Sequence, residues 1–281
     1  MWFRNRSYAA EWRTMNRKRA LKCDTFCGKR GRSGAAEPLP AAAGGGGVAA
    51  GDRGDRVGGA LDIKASLEHI MSLLPGKLWS DTVPRIALKH QLYSLHRDRT
   101  RVDRHLNELR EQGDVLMFQL GFDSESVAVV FAADFKAKVL AAEVGRATQG
   151  PVEKFLNTVL ASCCDMSVDE TKMLQEFLFA DSEITQLVKC GVLTVKDAGS
   201  WWLSIPNSGR FTKYFIQGRK AVLGMIRKSK YSEMLKSDLE GRQTTSRVKF
   251  HIQYHIHDIV GAELVDCIET TAGVLLRFAD S

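Results

Sequence analysis

The chain has 281 residues, 44% of them hydrophobic, with a formal net charge of +7. That length supplies a core for one large domain or for two to three small ones. No apolar run approaches the roughly 20 residues of a membrane span, and the first turns of the chain lack a signal-peptide apolar core, so a protein that is neither membrane-spanning nor secreted is expected.

The charge is unevenly placed. Residues 1–60 hold 12 Lys/Arg against 5 Asp/Glu, which leaves 28 against 28 in residues 61–281. A basic segment poor in apolar side chains cannot offset its ordering entropy by burial, so residues 1–60 are expected to be a disordered tail that attracts polyanions. Its first part carries two basic clusters, Arg17, Lys18, Arg19 and Lys22, then Lys29, Arg30 and Arg32, spaced like a bipartite nuclear import signal. Its second part, Gly34 to Gly59, is an Ala/Gly/Pro linker with four glycines at 44–47. Cys23 and Cys27 lack a second Cys or His pair at finger spacing, so no metal site is expected, and the six cysteines suit a reducing compartment.

From Leu61 the pattern becomes helical. Leu67, Ile70, Met71 and Leu74 predict a first helix, stopped by Pro75-Gly76. A second is predicted after Thr82 as N-cap, with Ile86, Leu88 and Leu92 on its face, and a third from Asp98 or Thr100 to Gly113, with Val102, Leu106 and Leu109 as its stripe. The period then shifts to two, and Val115–Leu120 and Val127–Phe131 predict a hairpin around 123–126. Three helices followed by a hairpin is the winged-helix pattern.

The pattern returns. Helices are predicted over Val152–Cys163, Val168–Phe179 and Asp181–Cys190, then a hairpin from Val192–Val195 and Trp201–Ile205 around Asp197-Ala198-Gly199. A third cycle follows Pro206: a long helix from about Arg210, another from Tyr231 to Glu240, a strand at Arg247–Phe250, a short helix over Tyr254–Val260, and a hairpin from Val265–Glu269 and Val274–Phe278. The predicted fold class is therefore α+β, mostly helical, with three tandem winged-helix units at 61–148, 149–208 and 209–281.

His96-Arg97-Asp98 is written like the start of a kinase catalytic loop. The Asn that a kinase needs five residues on is Asp103 here, Asp134-Phe135-Lys136 lacks the Gly of the metal-binding motif, and Ile86-Ala87-Leu88-Lys89 falls on a predicted helix. The glycines at 44–51 follow no strand and make no phosphate cradle. No catalytic residue, cofactor or metal is expected. His251, His255 and His257 read as the polar face of the third unit rather than as ligands.

The densest basic feature is the long helix. Seven Lys/Arg and no Asp/Glu lie between Pro206 and Ser232. At 100° per residue Phe211, Phe215, Val222, Met225 and Ile226 share one arc, and Lys213, Lys220, Arg227 and Lys230 the opposite one, with Lys228 beside them. A single-sign face repels itself unless an anion lies against it, so these residues with Arg242 are the first candidates for phosphate contact. Arg99 and Arg104, on the helix that usually enters a groove, are the second. Lys/Arg on phosphates fix position without reading bases, so duplex binding independent of sequence is expected, with RNA as a second polyanion.

Residues 61–278 resemble the vertebrate family named serine/threonine-protein kinase 19, on Leu92–Thr100, on Asp181–Trp202 with its Val-Lys-Asp-Ala-Gly-Ser-Trp-Trp, on Gly209–Tyr231 and on Tyr254–Thr271. The resemblance implies a tandem winged-helix protein of the nucleus, bound to chromatin and double-stranded DNA. It also implies a role in transcription-coupled nucleotide excision repair, positioning the helicase complex TFIIH at stalled RNA polymerase II. The family's basic surface carries over to Arg227, Lys230 and Arg242; the chain departs at Gln243, where relatives continue with Arg, and at Ala20-Leu21 and Cys23–Cys27, which break the basic tail. A monomer or weak homodimer is expected. The alternatives are a protein kinase and a protein-interaction scaffold without DNA binding.

Overall fold

The computed structural model describes residues 62–76, 83–121, 126–162 and 165–279, all within one unit spanning Ala60–Ser281. The import residues Arg17, Lys18, Arg19, Lys22, Lys29, Arg30 and Arg32 lie outside the described residues, as do Cys23, Cys27, Thr82 and most of the first hairpin turn.

Helix α1, Ile63–Ser72, starts where the Asp62 carboxylate accepts from the Ala65 amide at 2.9 Å, and its buried Ile63, Leu67, Ile70 and Met71 follow helical spacing. Strand β1, Ala87–Leu88, and the short helix α2, Lys89–Tyr93, replace the predicted second helix. Ile86, Ala87 and Leu88 are all fully buried. A helix would have turned one of them outward, whereas strand β1 pairs with β3, Val127–Phe131, and the Tyr254 hydroxyl donates to the Ile86 carbonyl at 2.8 Å. Helix α3, Arg99–Glu111, buries Val102 and Leu106 and leads into β2, Val115–Gln119, which pairs antiparallel with β3.

Helix α4, Ala132–Glu143, was not predicted. It begins at the end of β3 with no capping side chain, and only Phe135 and Val139 form a sparse apolar stripe between its buried ends, Ala132 and Glu143. Helix α5, Gln149–Ser162, matches the sequence pattern. The predicted helix Val168–Phe179 is instead strand β4, Ser167–Asp169, and a π-helical turn, Lys172–Glu176. Val168 faces Trp201 across the sheet, and one buried residue in three is too short a run to display a period of two. Helix α6, Asp181–Cys190, ends on Gly191 in the left-handed region, φ 83°, and β5, Leu193–Asp197, with β6, Ser200–Leu203, completes the second sheet.

Helix α7, Gly209–Arg227, is the long helix. The predicted helix from Tyr231 resolves into a 3-10 turn, Lys230–Ser232, strand β7, Glu233–Leu235, and short helix α8, Lys236–Glu240. Arg247–Phe250 is not a strand, although Val248 and Phe250 are buried. Helix α9, Ile252–Gly261, and strands β8, Val265–Thr270, and β9, Gly273–Phe278, close the chain.

Each three-stranded antiparallel sheet has the same order, first-third-second: β1-β3-β2, β4-β6-β5 and β7-β9-β8. The fold is α+β, with helices preceding small antiparallel sheets in the manner of winged-helix units. The hydrophobic core runs across the predicted boundaries. One cluster joins Ile63 through Ile205 to Phe211, Phe215, Phe250 and Tyr254, and a second holds Val222, Ile226, Leu239, Ile256, Ile259 and Leu276. Helix α9 lies so close to α2 that a Cβ on Gly261 would sit 1.8 Å from the His90 carbonyl oxygen.

Candidate nucleic-acid interface

The two arcs of α7 are real. Phe211, Phe215, Gly218, Arg219, Val222 and Ile226 are buried, and Lys213, Gln217, Lys220 and Arg227 are exposed. Phe211 and Phe215 pack against Phe250 and Tyr254, so the apolar arc is a core stripe.

One cation of this helix is not on the surface. Arg219 is buried and its guanidinium bonds Asp258 of α9 through Nε at 2.7 Å and Nη2 at 2.5 Å. His90 Nε2 lies 2.7 Å from Asp258 Oδ1. Burial alone would raise the Asp258 carboxyl, but the Arg219 guanidinium and His90 hold it at about 2. This trio fastens α2, α7 and α9 to one another. Gln91 Nε2, donating to the Tyr254 carbonyl at 3.0 Å, and Ser94 Oγ, 2.7 Å from His257 Nδ1, extend the seam.

Apart from Lys220 at mid-helix, the remaining cations of the region gather at the two ends of α7. At its start Arg210 Nε donates to the Tyr214 hydroxyl at 3.4 Å, and Arg210, Lys249 and Lys213 together lower the pKa of that hydroxyl, the Arg210 bond most strongly. At its end Arg227 lies with its guanidinium 4.3 Å from the centroid of Phe278 on β9, which fixes its direction. Lys228 is the C-cap residue, and Lys230 is on the 3-10 turn rather than on the helix as predicted. Arg242 follows α8 and reaches the Met234 sulfur of β7 at 3.7 Å. Lys213, Lys220, Arg227, Lys228, Lys230 and Arg242 are exposed, and none has an ion-pair partner among the described residues. Lys213 and Arg227 are fourteen positions apart, about 21 Å along the axis. Sequence reading missed Arg210 as a member of the cluster at the helix start, because only the fold brings Lys249 beside Tyr214.

Arg99 and Arg104 are placed differently. Arg99 pairs with Glu263, in the turn after α9, and lies 5.2 Å from the Tyr93 ring centroid. Arg104 Nε is 4.0 Å from Glu108 one turn on. Their charges are at least partly answered inside the chain.

The kinase-like residues have structural employments. Asp98 is the N-cap of α3, its Oδ1 accepting from the Arg101 amide at 3.0 Å; His96 Nε2 meets Ser66 Oγ at 2.8 Å; Lys89 pairs with Asp103 at 3.0 Å; Asp134 accepts from the Arg85 amide at 3.0 Å. The histidines correct another expectation. His251 is exposed, but His255 and His257 are buried in α9 rather than forming a polar face, and burial pulls both imidazoles down to about 4. Neither ring nitrogen of His255 has a hydrogen-bond partner, and the ring fills the space over Gly218, where a Cβ would lie 2.1 Å from its Nε2. Among the described residues no three His, Cys, Asp or Glu side chains are grouped to hold a metal ion, and no helix is long and apolar enough to cross a membrane.

The sequence model of the family described as "Inactive serine-threonine protein kinase 19" matches residues 77–278. The chain belongs to this family. It is 50% identical over 218 residues to "Winged helix repair factor 1" of Homo sapiens, covering 78% of this chain and 86% of that protein. The protein of the same name from Mus musculus is 46% identical over 268 residues, 95% of this chain and 100% of its own length. The one from Xenopus laevis is 44% identical over 220 residues, 78% and 85% respectively. The family is thus described as inactive in kinase terms, and its members named here are called winged-helix repair factors.

Proposed function

We propose that this chain is a non-enzymatic adaptor of DNA repair that binds double-stranded DNA, and RNA as a competing polyanion, along the outer face of α7. The observation that carries the reading is the division of α7 itself: a buried aromatic stripe on one side, and on the other cations without an acidic partner among the described residues. Such a face is favourable only with an anion against it. Lys213 and Arg227, about 21 Å apart, can follow a duplex over roughly six base pairs at 3.4 Å each. Lys213, Lys220, Arg227, Lys228, Lys230 and Arg242 are the proposed phosphate contacts, with Arg99 and Arg104 secondary because both already face carboxylates. Three tandem winged helices, at 61–148, 149–208 and 209–281, nuclear import through the basic tail, chromatin association and placement of TFIIH at stalled RNA polymerase II complete the proposal; the names of the relatives support its winged-helix and repair parts.

The second winged-helix region favours an added protein-binding role. Residues 151–200 carry eight Asp/Glu against four Lys/Arg. Leu178 and Val195 stand 73% and 66% exposed there, an acidic and partly apolar surface unsuited to phosphate.

The test is duplex affinity against salt for the full chain and for R227E/K230E. Loss of two phosphate contacts should flatten the slope of log affinity on log salt by about 1.8 and weaken binding. Losing the Arg227–Phe278 contact should cost stability only about 0.5–1 kcal/mol. A folded double variant with unchanged affinity and slope would overturn the reading in favour of the scaffold.

A further inference from the structure

We propose that Tyr231 is a stacking post for an unpaired base, so that the basic surface at the end of α7 prefers a duplex flanked by unpaired nucleotides to a continuous duplex. The inference rests on the nucleic-acid reading of that surface and adds the form of nucleic acid it takes.

Tyr231 sits in the 3-10 turn between α7 and β7 at φ 62°, followed by Ser232 at φ 54°. Two successive left-handed residues without a glycine are unfavourable, and a bulky ring there is an outlier that calls for a reason. Packing does not supply one. The side chain is 77% exposed, and its hydroxyl has no hydrogen-bond partner among the described residues. Its recorded neighbour is a cation, the Lys230 ammonium, 5.0 Å from the ring centroid.

The turn that carries the ring is firmly held. Ser229 Oγ lies 2.5 Å from the carbonyl oxygens of both Ile226 and Glu233, and the Ser232 amide donates to the Ser229 carbonyl at 3.1 Å. Glu233 then pairs with Arg277 in the sheet and through its carboxylate at 2.9 Å. An aromatic face is therefore projected into solvent from a fixed base, with Arg227, Lys228 and Lys230 in the same short segment and no acid between them.

An exposed ring interleaved with cations is the arrangement that binds unpaired nucleotides: the cations take the phosphates, and the ring takes the face of a base. A continuous duplex offers no free base face, because its bases are stacked on each other. A junction between duplex and single strand offers both partners at once. The ring reads no base identity, so the preference is for structure and not for sequence.

The experiment measures binding of the full chain, by fluorescence anisotropy, to a blunt duplex and to the same duplex with a short single-stranded extension. Wild type and Tyr231→Phe should favour the junction by about 5- to 150-fold, the range given by stacking one base on an aromatic ring. Tyr231→Asn removes the ring with a residue that tolerates the left-handed backbone. It should abolish the preference while leaving blunt-duplex affinity, its salt slope and the melting temperature unchanged. A fluorescent purine analogue at the first unpaired position should be quenched by wild type and not by Tyr231→Asn. A junction preference retained in the folded Asn variant, or blunt and junction DNA bound equally by wild type, overturns the stacking post while leaving the basic surface standing. Absence of binding to either DNA overturns both.

Discussion

Replacing Asp258 with Ala probes what holds α2, α7 and α9 together. The carboxylate is fully buried and is met by Arg219 through two bonds and by His90. Its removal leaves the Arg219 guanidinium, itself buried, without that counter-charge, and breaking such a pair costs about 3–5 kcal/mol. The pKa gives a smaller figure of the same sign. A carboxyl at about 2 when folded, against its ordinary 3.8, contributes stability present above 3.8 and lost as pH falls toward 2. That shift corresponds to about 2 kcal/mol. The truncation should exceed it because it also strands a buried cation. For a folded region of this size each kcal/mol moves the midpoint by about 2–4 °C, so D258A should melt about 6–20 °C below wild type. The double variant R219M/D258A removes both charges and should recover most of the loss. Circular dichroism melts at neutral pH read both. A D258A variant melting within a degree or two of wild type, or a double variant no better than the single, would refute the argument.

Acid should weaken the fold well above the range of Asp258. His255 and His257 are held at about 4, mainly by burial, below the 6.5 of the unfolded chain, so their contribution is complete above pH 6.5 and is lost as pH falls toward 4. Between pH 7 and 5 this amounts to about 2 kcal/mol per histidine; urea unfolding at the two pH values should show it, and His255→Leu should reduce the dependence by about half. Asp98→Ala should cost about 1 kcal/mol as the loss of a helix cap, and urea midpoints that do not move would show that Asp98 is kept for something other than α3.

The sequence carried the parts of the fold whose signals are local and repeated. The stripe Leu67, Ile70, Met71, the turn at Gly191 and the hairpins at Val115–Phe131 and Val265–Phe278 were legible because periodicity, a positive φ or strand alternation marks them within a few residues. The first strand of each sheet was not. Ala87–Leu88, Ser167–Asp169 and Glu233–Leu235 span two or three residues, and each exists because a distant third strand is there to pair with it. Helix α4 was missed for want of a cap and a dense stripe. For the candidate site, the arcs of α7 were readable from 100° spacing, but the burial of Arg219 was not, since its partner Asp258 is 39 residues away. Lys230 was assigned to the helix because nothing in its own residue type marks the end at Arg227; the left-handed turn at Tyr231 does.

The distribution of charge among the helices constrains how a duplex would lie on the proposed surface. In a winged helix the last helix before the hairpin is the one that usually enters the major groove. In the proposed three-unit reading those helices are α3, α6 and α9. Helix α9 is buried along most of its length, from Ile252 and Tyr254 to Gly261, against α2 and α7, and no groove can be offered to it. Helix α6 opens with Asp181 and Glu183, carboxylates that would meet phosphates at the end that normally approaches them. Helix α3 presents Arg99 and Arg104 with Glu263 and Glu108 already beside them. Among the described residues, exposed cations without an acidic partner are densest on the first helix of the third sheet's unit and in the turn that follows it, although α3 also carries Arg101. A helix lying along the duplex with lysines and arginines at both ends touches the backbone and leaves the base edges unread, since sequence is distinguished in the grooves. The proposed independence of sequence is in keeping with this arrangement, because α9 is occupied in holding the chain together and α6 opens on carboxylates.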